Sequence, residues 1–255
     1  MANIRTRDES SDFFSALPSA KVGVKYTQEN RSIQSIRKIV VKGSVDVYFR
    51  RSSEPQLLVA GETKGAIDSI RTRVKGDKLI IENEGPALCV SGFSYGNVSV
   101  GHAGGGVHIK INGQSIHIGG NLTGMDFGRA VVGVSLPEIP VVNVKGSGDI
   151  TLLDLQQVAI EFEIKGSGNI KAYGLVDVLN VSVVGSGDVD CSNLIANQAN
   201  LSVAGSGDID AFVRQSVSAV VAGSGDILVR GDPTQRTQKV VGSGDVIFRP
   251  KNRTA

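Results

Sequence analysis

The chain has 255 residues, of which 40% are hydrophobic and 32 are glycine, and its formal net charge is +2. No block of Lys and Arg stands out, and no apolar run approaches the roughly 18 residues of a membrane helix. The composition therefore favours neither a nucleic-acid-binding protein nor a protein with a transmembrane segment. Two cysteines, Cys89 and Cys191, are too few for a disulfide framework.

Residues 1–32 are polar apart from a small cluster at Phe13, Phe14 and Leu17, and they predict an N-terminal tail or cap. Charged residues stand where a signal peptide needs an apolar segment. This observation alone favours a cytoplasmic protein or one whose leader has been removed.

Residues 33–84 are predicted to form degenerate first coils of a repeat that is regular only later in the chain. Residues 39–48 align with residues 142–151, which contain the first full copy of the repeat motif, and only the second glycine is replaced, by Val45. A strand is predicted at residues 56–60 and a short helical or turn connector at residues 65–70. A hairpin around Gly76 and Asp77 follows them.

Residues 85–130 are a predicted insertion rich in glycine and histidine. Within it, residues 107–118 predict a β-hairpin with Asn-Gly as a two-residue type I′ turn. This register places His108 opposite His117, which makes the pair a weak candidate for a metal site with His102 as a third ligand to consider. Because two imidazoles are an incomplete site, we favour a polar surface pair and expect no cofactor.

Residues 131–249 carry six copies of a Gly-Ser-Gly-Asp motif, one of them ending in Asn, and their first glycines lie 18 to 20 residues apart. We call this the turn motif, because Gly tolerates positive φ and Asp or Asn accepts hydrogen bonds from nearby backbone N–H groups. The motifs are predicted to stack into a structural turn ladder. Its members are Gly146, Gly148, Asp149, Gly166, Gly168, Asn169, Gly185, Gly187, Asp188, Gly205, Gly207, Asp208, Gly223, Gly225, Asp226, Gly242, Gly244 and Asp245.

A fixed period of about 19 residues indicates a solenoid. Apolar residues recur two positions before each first glycine and four and six positions after it, with polar residues between them, which is typical of half-buried strands. A further apolar position at Leu155, Leu175 and Leu194 suggests another strand in each coil. We therefore predict an all-β, right-handed parallel β-helix that forms a single domain over residues 33–249, with residues 250–255 as a C-terminal tail. Cys191 occupies an apolar position of the repeat and is predicted to be a core thiol.

The turn motif has a second interpretation, as a calcium site. Calcium repeats of secreted toxins recur every nine residues, whereas this turn occurs once per coil. Calcium also needs six to eight oxygen ligands, and Asn169 removes one charge from the column. The structural turn is favoured and the calcium site remains the alternative. The run Gly104-Gly105-Gly106 lacks the Lys and Ser/Thr of a phosphate-binding loop.

The chain resembles the head GIN domain family of bacterial autotransporter adhesin heads. The resemblance rests on residues 39–49, on the hairpin at residues 76–81 and on the turn motifs after Leu136-Pro137, and it covers about residues 33–249. It implies a β-helix-like fold, a location in the cell envelope or outside the cell, and adhesion as the function. It implies no catalytic residues.

The predicted function is that of a non-catalytic surface or scaffold protein that binds a glycan or protein partner through its flat faces, with homo-oligomers left open. The alternative is a polysaccharide-active β-helix enzyme, by analogy of fold. Such an enzyme needs clustered carboxylates and aromatic platforms. Glu161 and Glu163 share an outward face, but no second acidic cluster is apparent from adjacent coils, and the chain has no Trp.

Overall fold

A computed structural model of the protein describes residues 27–34, 36–83, 98–103, 106–111, 114–118 and 129–250, and it describes residues 98–118 by their backbone only. These residues form β1 (Thr27–Arg31), β2 (Lys38–Gly43), β3 (Asp46–Arg51), β4 (Gln56–Gly61), α1 (Lys64–Asp68), β5 (Ile70–Lys75), β6 (Lys78–Asn83), β7 (Val98–Ala103), β8 (Gly106–Ile111), β9 (Gln114–Ile118), β10 (Ala130–Leu136), β11 (Val141–Gly146), β12 (Ile150–Gly166), β13 (Ile170–Gly185), β14 (Val189–Gly205), β15 (Ile209–Gly223), β16 (Ile227–Arg230), β17 (Gln235–Gly242) and β18 (Val246–Arg249).

Stacked coils form a β-solenoid of about five turns, which confirms the predicted fold class. Strands β12 to β15 pair in parallel with the strand about 20 residues further along the chain. Residues 141–249 are all described and contain no helix, as expected of this fold. The individual strands differ from the prediction. Each of the four coils from β12 to β15 is one strand of 15 to 17 residues, interrupted only by the turn motif and bent where its register shifts.

The inside of the solenoid is a continuous apolar core made from the predicted inward positions. The residues two positions before the first glycine are buried from Val144 to Val221, and those four positions after it are buried from Ile150 to Ile227. Because burying one such side chain stabilises by roughly 1.5–3 kcal/mol, these columns account for much of the stability of the stack. Cys191 is fully buried among them, which confirms the predicted core thiol.

One predicted core residue is wrong. Leu175 is 42% exposed. The coil that contains it has one residue fewer than its two neighbours, so the position that pairs with Leu155 and Leu194 is Gly174. The next inward residue is then Val176, which is buried.

The degenerate motif at residues 43–46 belongs to a coil of the solenoid, as the alignment of residues 39–48 predicted. Strand β2 pairs in parallel with β11 so that Ile39 lies beside Val142 and Gly43 beside Gly146. Strand β3 then pairs with β12. Two coils about 100 residues apart in sequence are therefore adjacent in space, and β6 and β10 lie on the other side of β2 and β3.

The segment between these coils pairs antiparallel within itself and parallel with the first coil, through β6 beside β2 and β10 beside β3. Strands β5 and β6 form the predicted hairpin around Gly76, and β6 extends the sheet beside β2. The predicted connector is α1, which Thr63 caps by accepting a hydrogen bond from Ala66 N. Strand β10 lies between β3 and β4, and β1 pairs antiparallel with β4. Thr27–Arg31 is thus an edge strand, although it falls in the segment predicted as a tail or cap.

The last coil closes the core with polar side chains. At the positions where earlier coils place Val217 and Ala219 inside, β17 has Arg236 and Gln238. The Arg236 guanidinium lies 4.8 Å from the centroid of the Phe248 ring and donates a hydrogen bond of 2.5 Å to Asp232 Oδ1. A solenoid needs such a polar terminal repeat to keep its core from facing water.

Candidate functional site: the aspartate column and the groove face

The turn motifs lie above one another in a single column. Their first glycines pair in register from coil to coil, and Gly43 of the degenerate motif lies beside Gly146 in the same column. In each coil the carbonyl oxygen of the first glycine accepts two hydrogen bonds from the following coil. For Gly166 O these come from Ser186 N at 2.9 Å and Gly187 N at 3.2 Å. The turns thus satisfy each other's backbone groups.

The two glycines of the motif are needed for different reasons. Gly185 has φ +130, a conformation that other residues rarely adopt, and a Cβ there would lie 2.3 Å from Gly166 O. Gly187 does not have positive φ, but a Cβ there would lie 2.1 Å from Gly168 O. The sequence pattern indicated both requirements without assigning them to particular glycines.

The last residues of the motifs form what we call the aspartate column: Asp46, Asp149, Asn169, Asp188, Asp208, Asp226 and Asp245. Each side chain before that of Asp245 accepts a hydrogen bond from the backbone of the next coil. Asp188 Oδ1, for example, accepts from Asp208 N at 2.9 Å, while Asp188 N donates to Asn169 Oδ1 at 3.0 Å. Asn169 also donates its side-chain Nδ2 to Asp149 Oδ1 at 2.9 Å. One oxygen of every inner carboxylate is therefore engaged in holding two coils together.

Asp46 is the member of the column that the first coil provides, and its carboxyl group is partly withdrawn from water. Burial raises the pKa of its carboxyl group above the ordinary value, and the charge of Asp149 raises it further. The backbone N–H of Asp149 and the guanidinium of Arg129, 3.6 Å away, lower the pKa and offset part of this rise.

Three adjoining clefts lie beside the aspartate column. The first, of about 680 Å³, is lined by Asp149, Lys171 and Tyr173 among others, and the last, of about 700 Å³, by Phe212, Arg230 and Phe248. The cleft between them shares lining residues with each. It continues the first cleft along the solenoid, whereas the last cleft lies beside it on the same four strands, β14, β15, β16 and β18. We call the surface that carries them the groove face.

The groove face combines aromatic rings with fixed charges. Tyr173 is 37% exposed. Asp210 accepts two hydrogen bonds from the Arg230 guanidinium, at 2.7 and 2.6 Å, and these bonds hold the pKa of Arg230 above its ordinary value. Such a surface offers stacking platforms together with both donors and acceptors. Sequence reasoning missed these clefts, because their walls come from side chains in different coils.

The structure supports only part of the arrangement expected for the histidines. Strands β8 and β9 pair in the predicted register, with His108 opposite His117, while the Asn-Gly turn lies outside the described residues. His102 pairs with Val107, one position away from His108, and therefore belongs to the opposite face of this sheet. In the part of the chain that the structure describes, no group of three or more His, Cys, Asp or Glu residues is arranged to hold a metal ion.

Other residues singled out from the sequence lie away from the groove face. Glu161 and Glu163 project outward from β12, and Glu163 accepts a hydrogen bond from Asn143 Nδ2 at 2.6 Å and pairs with Lys165. This ion pair lowers the pKa of Glu163. Cys191 lies beneath the groove face, and burial raises the pKa of its thiol.

The described residues form a β-solenoid with open clefts on one face, and comparison with known proteins agrees with the fold. Residues 36–233 match the family described as "Putative auto-transporter adhesin, head GIN domain". Because the match spans most of the chain, the protein belongs to this family, which is the one its motifs resembled. No curated protein matches the chain.

Solved structures of bacterial proteins share the fold. A crystal structure titled as a putative adhesin from Bacteroides fragilis NCTC 9343 is similar with a TM-score of 0.60 and 18% identity, covering 88% of this chain and 97% of that one. A putative lipid binding protein from Parabacteroides distasonis ATCC 8503 matches with a TM-score of 0.49 and 19% identity, covering 89% and 98% of the two chains. At such identity the likeness shows the fold alone.

Proposed function

We propose that this protein is a non-catalytic adhesin or scaffold of the bacterial surface or envelope, and that its groove face binds a glycan chain or a protein segment. The observation that carries the proposal is the set of adjoining clefts with shared walls on one face, of which two follow one another along the solenoid. An elongated site of this kind fits an extended ligand better than a small molecule, which binding sites usually enclose.

The side chains of the groove face favour a glycan over a protein. Tyr173 presents an exposed ring, and Phe212 lines the last cleft. Aromatic rings with neighbouring carboxylates and amides can stack on the apolar face of a sugar and bind its hydroxyl groups. A protein segment remains the second candidate for the ligand.

Family membership supports a location on the cell surface or in the envelope, because the family is described as adhesin heads. No helix among the described residues is long and apolar enough to cross a membrane. Fractionation of cells that express the complete native gene, with the protein detected by antibody, tests this location. Recovery of the protein in the cytoplasmic fraction alone would contradict it.

An enzyme that acts on polysaccharides is the second candidate function, and one observation favours it. Asp46 and Asp149 line the same cleft, and Asp46 has a raised pKa, as a general acid needs. Against catalysis, the main-chain N–H of Asn169 donates a hydrogen bond of 3.0 Å to Asp149 Oδ1, so this carboxylate already has a structural role. A screen for polysaccharide degradation with wild type and Asp46→Asn decides between the two functions, because only an enzyme would yield cleavage that the substitution abolishes.

Arrays of glycans and of bacterial and host surface proteins, probed with the purified chain, test the binding function. We expect binding that Tyr173→Ala reduces at least tenfold. Leu175→Ala is the matched control, because Leu175 is similarly exposed only two residues away and lies outside the first cleft. Equal loss in both variants, or no bound ligand in any array, would contradict a site on the groove face.

A further inference from the structure

Basic side chains from three separate stretches of the chain meet on one face of the solenoid. Strands β5, β6, β2 and β11 and residues 161–165 of β12 lie side by side in this order. On β6, β2, β11 and β12 the outward residues alternate with buried core residues such as Leu79, Ile39, Val142 and Phe162. We call the outward surface of these five strand segments the basic face. Its cationic residues are Arg71, Arg73, Lys75, Lys78, Lys38, Lys42, Lys145 and Lys165.

The basic face is more positive than the chain as a whole. Its eight cations stand against three carboxylates, those of Glu82, Glu161 and Glu163, which leaves a net charge of +5. The whole chain has a net charge of +2. The described acidic residues that come next along the chain lie outside these strand segments, and they are Asp68, Asp77, Glu138, Asp154 and those of the aspartate column. No block of Lys and Arg marks the face in the sequence, because strand register assembles it.

The carboxylates on the basic face are themselves surrounded by cations. Glu82 pairs with Lys42 at 3.6 Å and also with Arg73, and Glu163 pairs with Lys165. The hydrogen bond from Lys165 lowers the pKa of Glu163, and the charges of Lys165, Lys38 and Lys145 lower it further, while burial offsets part of this effect. Two of the three carboxylates are thus engaged within the face, and the excess of positive charge remains.

Three lysines of the basic face lie next to one another, although like charges on neighbouring strands destabilise a sheet. Lys42, Lys145 and Lys165 occupy the same position of three consecutive strands, about 4.8 Å apart. In the following coils this position is taken by Val184, Ala204 and Ala222, so the fold does not require a charge there. The repulsion indicates that these lysines serve an interaction with an anionic partner.

The charged groups of the basic face are accessible to such a partner. The exposed fraction of the side chain is 45% for Lys42, 53% for Lys165 and 56% for Arg73. Val40 and Asn143, which lie between them, are buried. The charged side chains therefore form the outer surface of this face.

The shape of the basic face fits an anionic membrane surface better than a single anionic polymer. Its cations spread over five strands and three outward positions of each strand, an area of roughly 19 by 13 Å, whereas one polymer chain would contact only a line of them. The clefts of the groove face do not reach this surface. The basic face also has no aromatic side chain on which the bases of a single-stranded nucleic acid could stack.

We propose that the basic face docks this chain on a membrane surface that carries anionic lipid headgroups. Each Lys or Arg close to such a surface is attracted by its negative potential, so the contributions of the eight cations add. The inference rests on the envelope location that is part of the proposed function. The basic face precedes the turn motif and the groove face follows it, so docking leaves the groove face open to its ligand.

Co-sedimentation of the purified chain with lipid vesicles tests the docking. Vesicles of phosphatidylglycerol and phosphatidylcholine in equal parts should bind the chain, and vesicles of phosphatidylcholine alone should not. Binding should weaken as salt is raised, because the cations are exposed. Lys145→Glu changes the charge of the face by two units and should weaken binding to the mixed vesicles by at least about tenfold. The new carboxylate lies between Lys42 and Lys165, so this variant should keep the Tm of the wild type.

Arg214→Glu is the matched control for Lys145→Glu. Arg214 is exposed and belongs to β15, three strands beyond β12 and outside the basic face, and its substitution changes the net charge of the chain by the same amount. It should bind the mixed vesicles as the wild type does. An equal loss in both variants would show that net charge alone governs binding and would overturn the basic face as the contact.

Two further outcomes would overturn docking on a membrane. One is a wild-type chain that stays in the supernatant with the mixed vesicles at low salt. The other is retention by polyphosphate or duplex DNA at a salt concentration that releases the chain from the vesicles, which would make a soluble polyanion the partner. Neither outcome bears on the envelope location or on the groove face, because cell fractionation and the arrays measure those separately.

Discussion

Alanine substitutions of three glycines should separate the cost of close coil packing from the cost of backbone conformation. A Cβ at Gly187 would lie 2.1 Å from Gly168 O, more than an ångström inside ordinary contact, which begins at 3.4 Å. Gly76 presents the opposite case, with φ +62 and nothing within 4 Å of an added Cβ. Gly185 combines both costs, since its φ is +130 and its Cβ would lie 2.3 Å from Gly166 O.

The expected magnitudes follow from the hydrogen bonds that each change disturbs. Gly76→Ala requires only a left-handed conformation and should lower the free energy of unfolding by about 1 kcal/mol. Gly187→Ala forces two coils apart and weakens the bonds that Gly166 O accepts from Ser186 N and Gly187 N, together with the corresponding pair at Gly185 O. Three or four bonds at about 1 kcal/mol each give a loss of about 3–4 kcal/mol. Gly185→Ala should cost about 1 kcal/mol more than Gly187→Ala, since it adds the conformational strain.

Differential scanning calorimetry measures these differences. At about 3 °C per kcal/mol for a chain of this size, Gly187→Ala should lower Tm by about 10 °C and Gly76→Ala by about 3 °C. Circular dichroism of the same samples checks that each variant still forms the β-sheet. If Gly187→Ala costs no more than Gly76→Ala, close approach of the coils is not what the second glycine provides, and the account of the turn column is wrong.

Three further outcomes are expected. Asp188→Asn should change the free energy of unfolding by less than about 1 kcal/mol, because Asn keeps the acceptor oxygen; the result should be the same with calcium and with chelator, and a loss seen only with calcium would indicate an ion site. Calorimetric titration with zinc should show no micromolar binding, and binding that His117→Ala abolishes would refute the polar-pair interpretation. Because the folded state raises the pKa of Asp46, the protonated form favours folding, so wild type should lose stability relative to Asp46→Asn as pH rises from 3.8 through the raised pKa. Urea unfolding at pH 4 and pH 7 measures this change, and parallel behaviour of the two proteins would contradict it.

The repeat made most of the fold predictable. The period of the turn motif gave the solenoid, and the alignment of residues 39–48 with residues 142–151 gave the neighbour of a coil about 100 residues away. The reason is physical, since a stacked coil needs the same inward residues and the same turn as its neighbour. The prediction was wrong at Leu175, because a constant spacing cannot show that one coil has lost a residue and that Gly174 takes the paired position.

The groove face could not be predicted from the sequence pattern. Its walls depend on how far side chains project between coils, which alternation of apolar and polar residues does not report. The alternation of apolar and polar residues places Lys171 and Tyr173 at outward positions of a strand and indicates nothing more about them. The polar end of the solenoid, by contrast, could have been predicted from the sequence, because Arg236 and Gln238 replace apolar residues at inward positions of the last coil. Their meaning becomes evident only when the columns are aligned.

Product analysis on a bound ligand tests the central claim, binding along the groove face without chemistry, most directly. A glycan or protein captured on the arrays is incubated with the purified chain for a day and its mass is measured by mass spectrometry. The account predicts that the ligand is recovered at its original mass and that Tyr173→Ala recovers less of it bound. Shortened products that disappear with Asp46→Asn would show that the protein is an enzyme and would contradict the account.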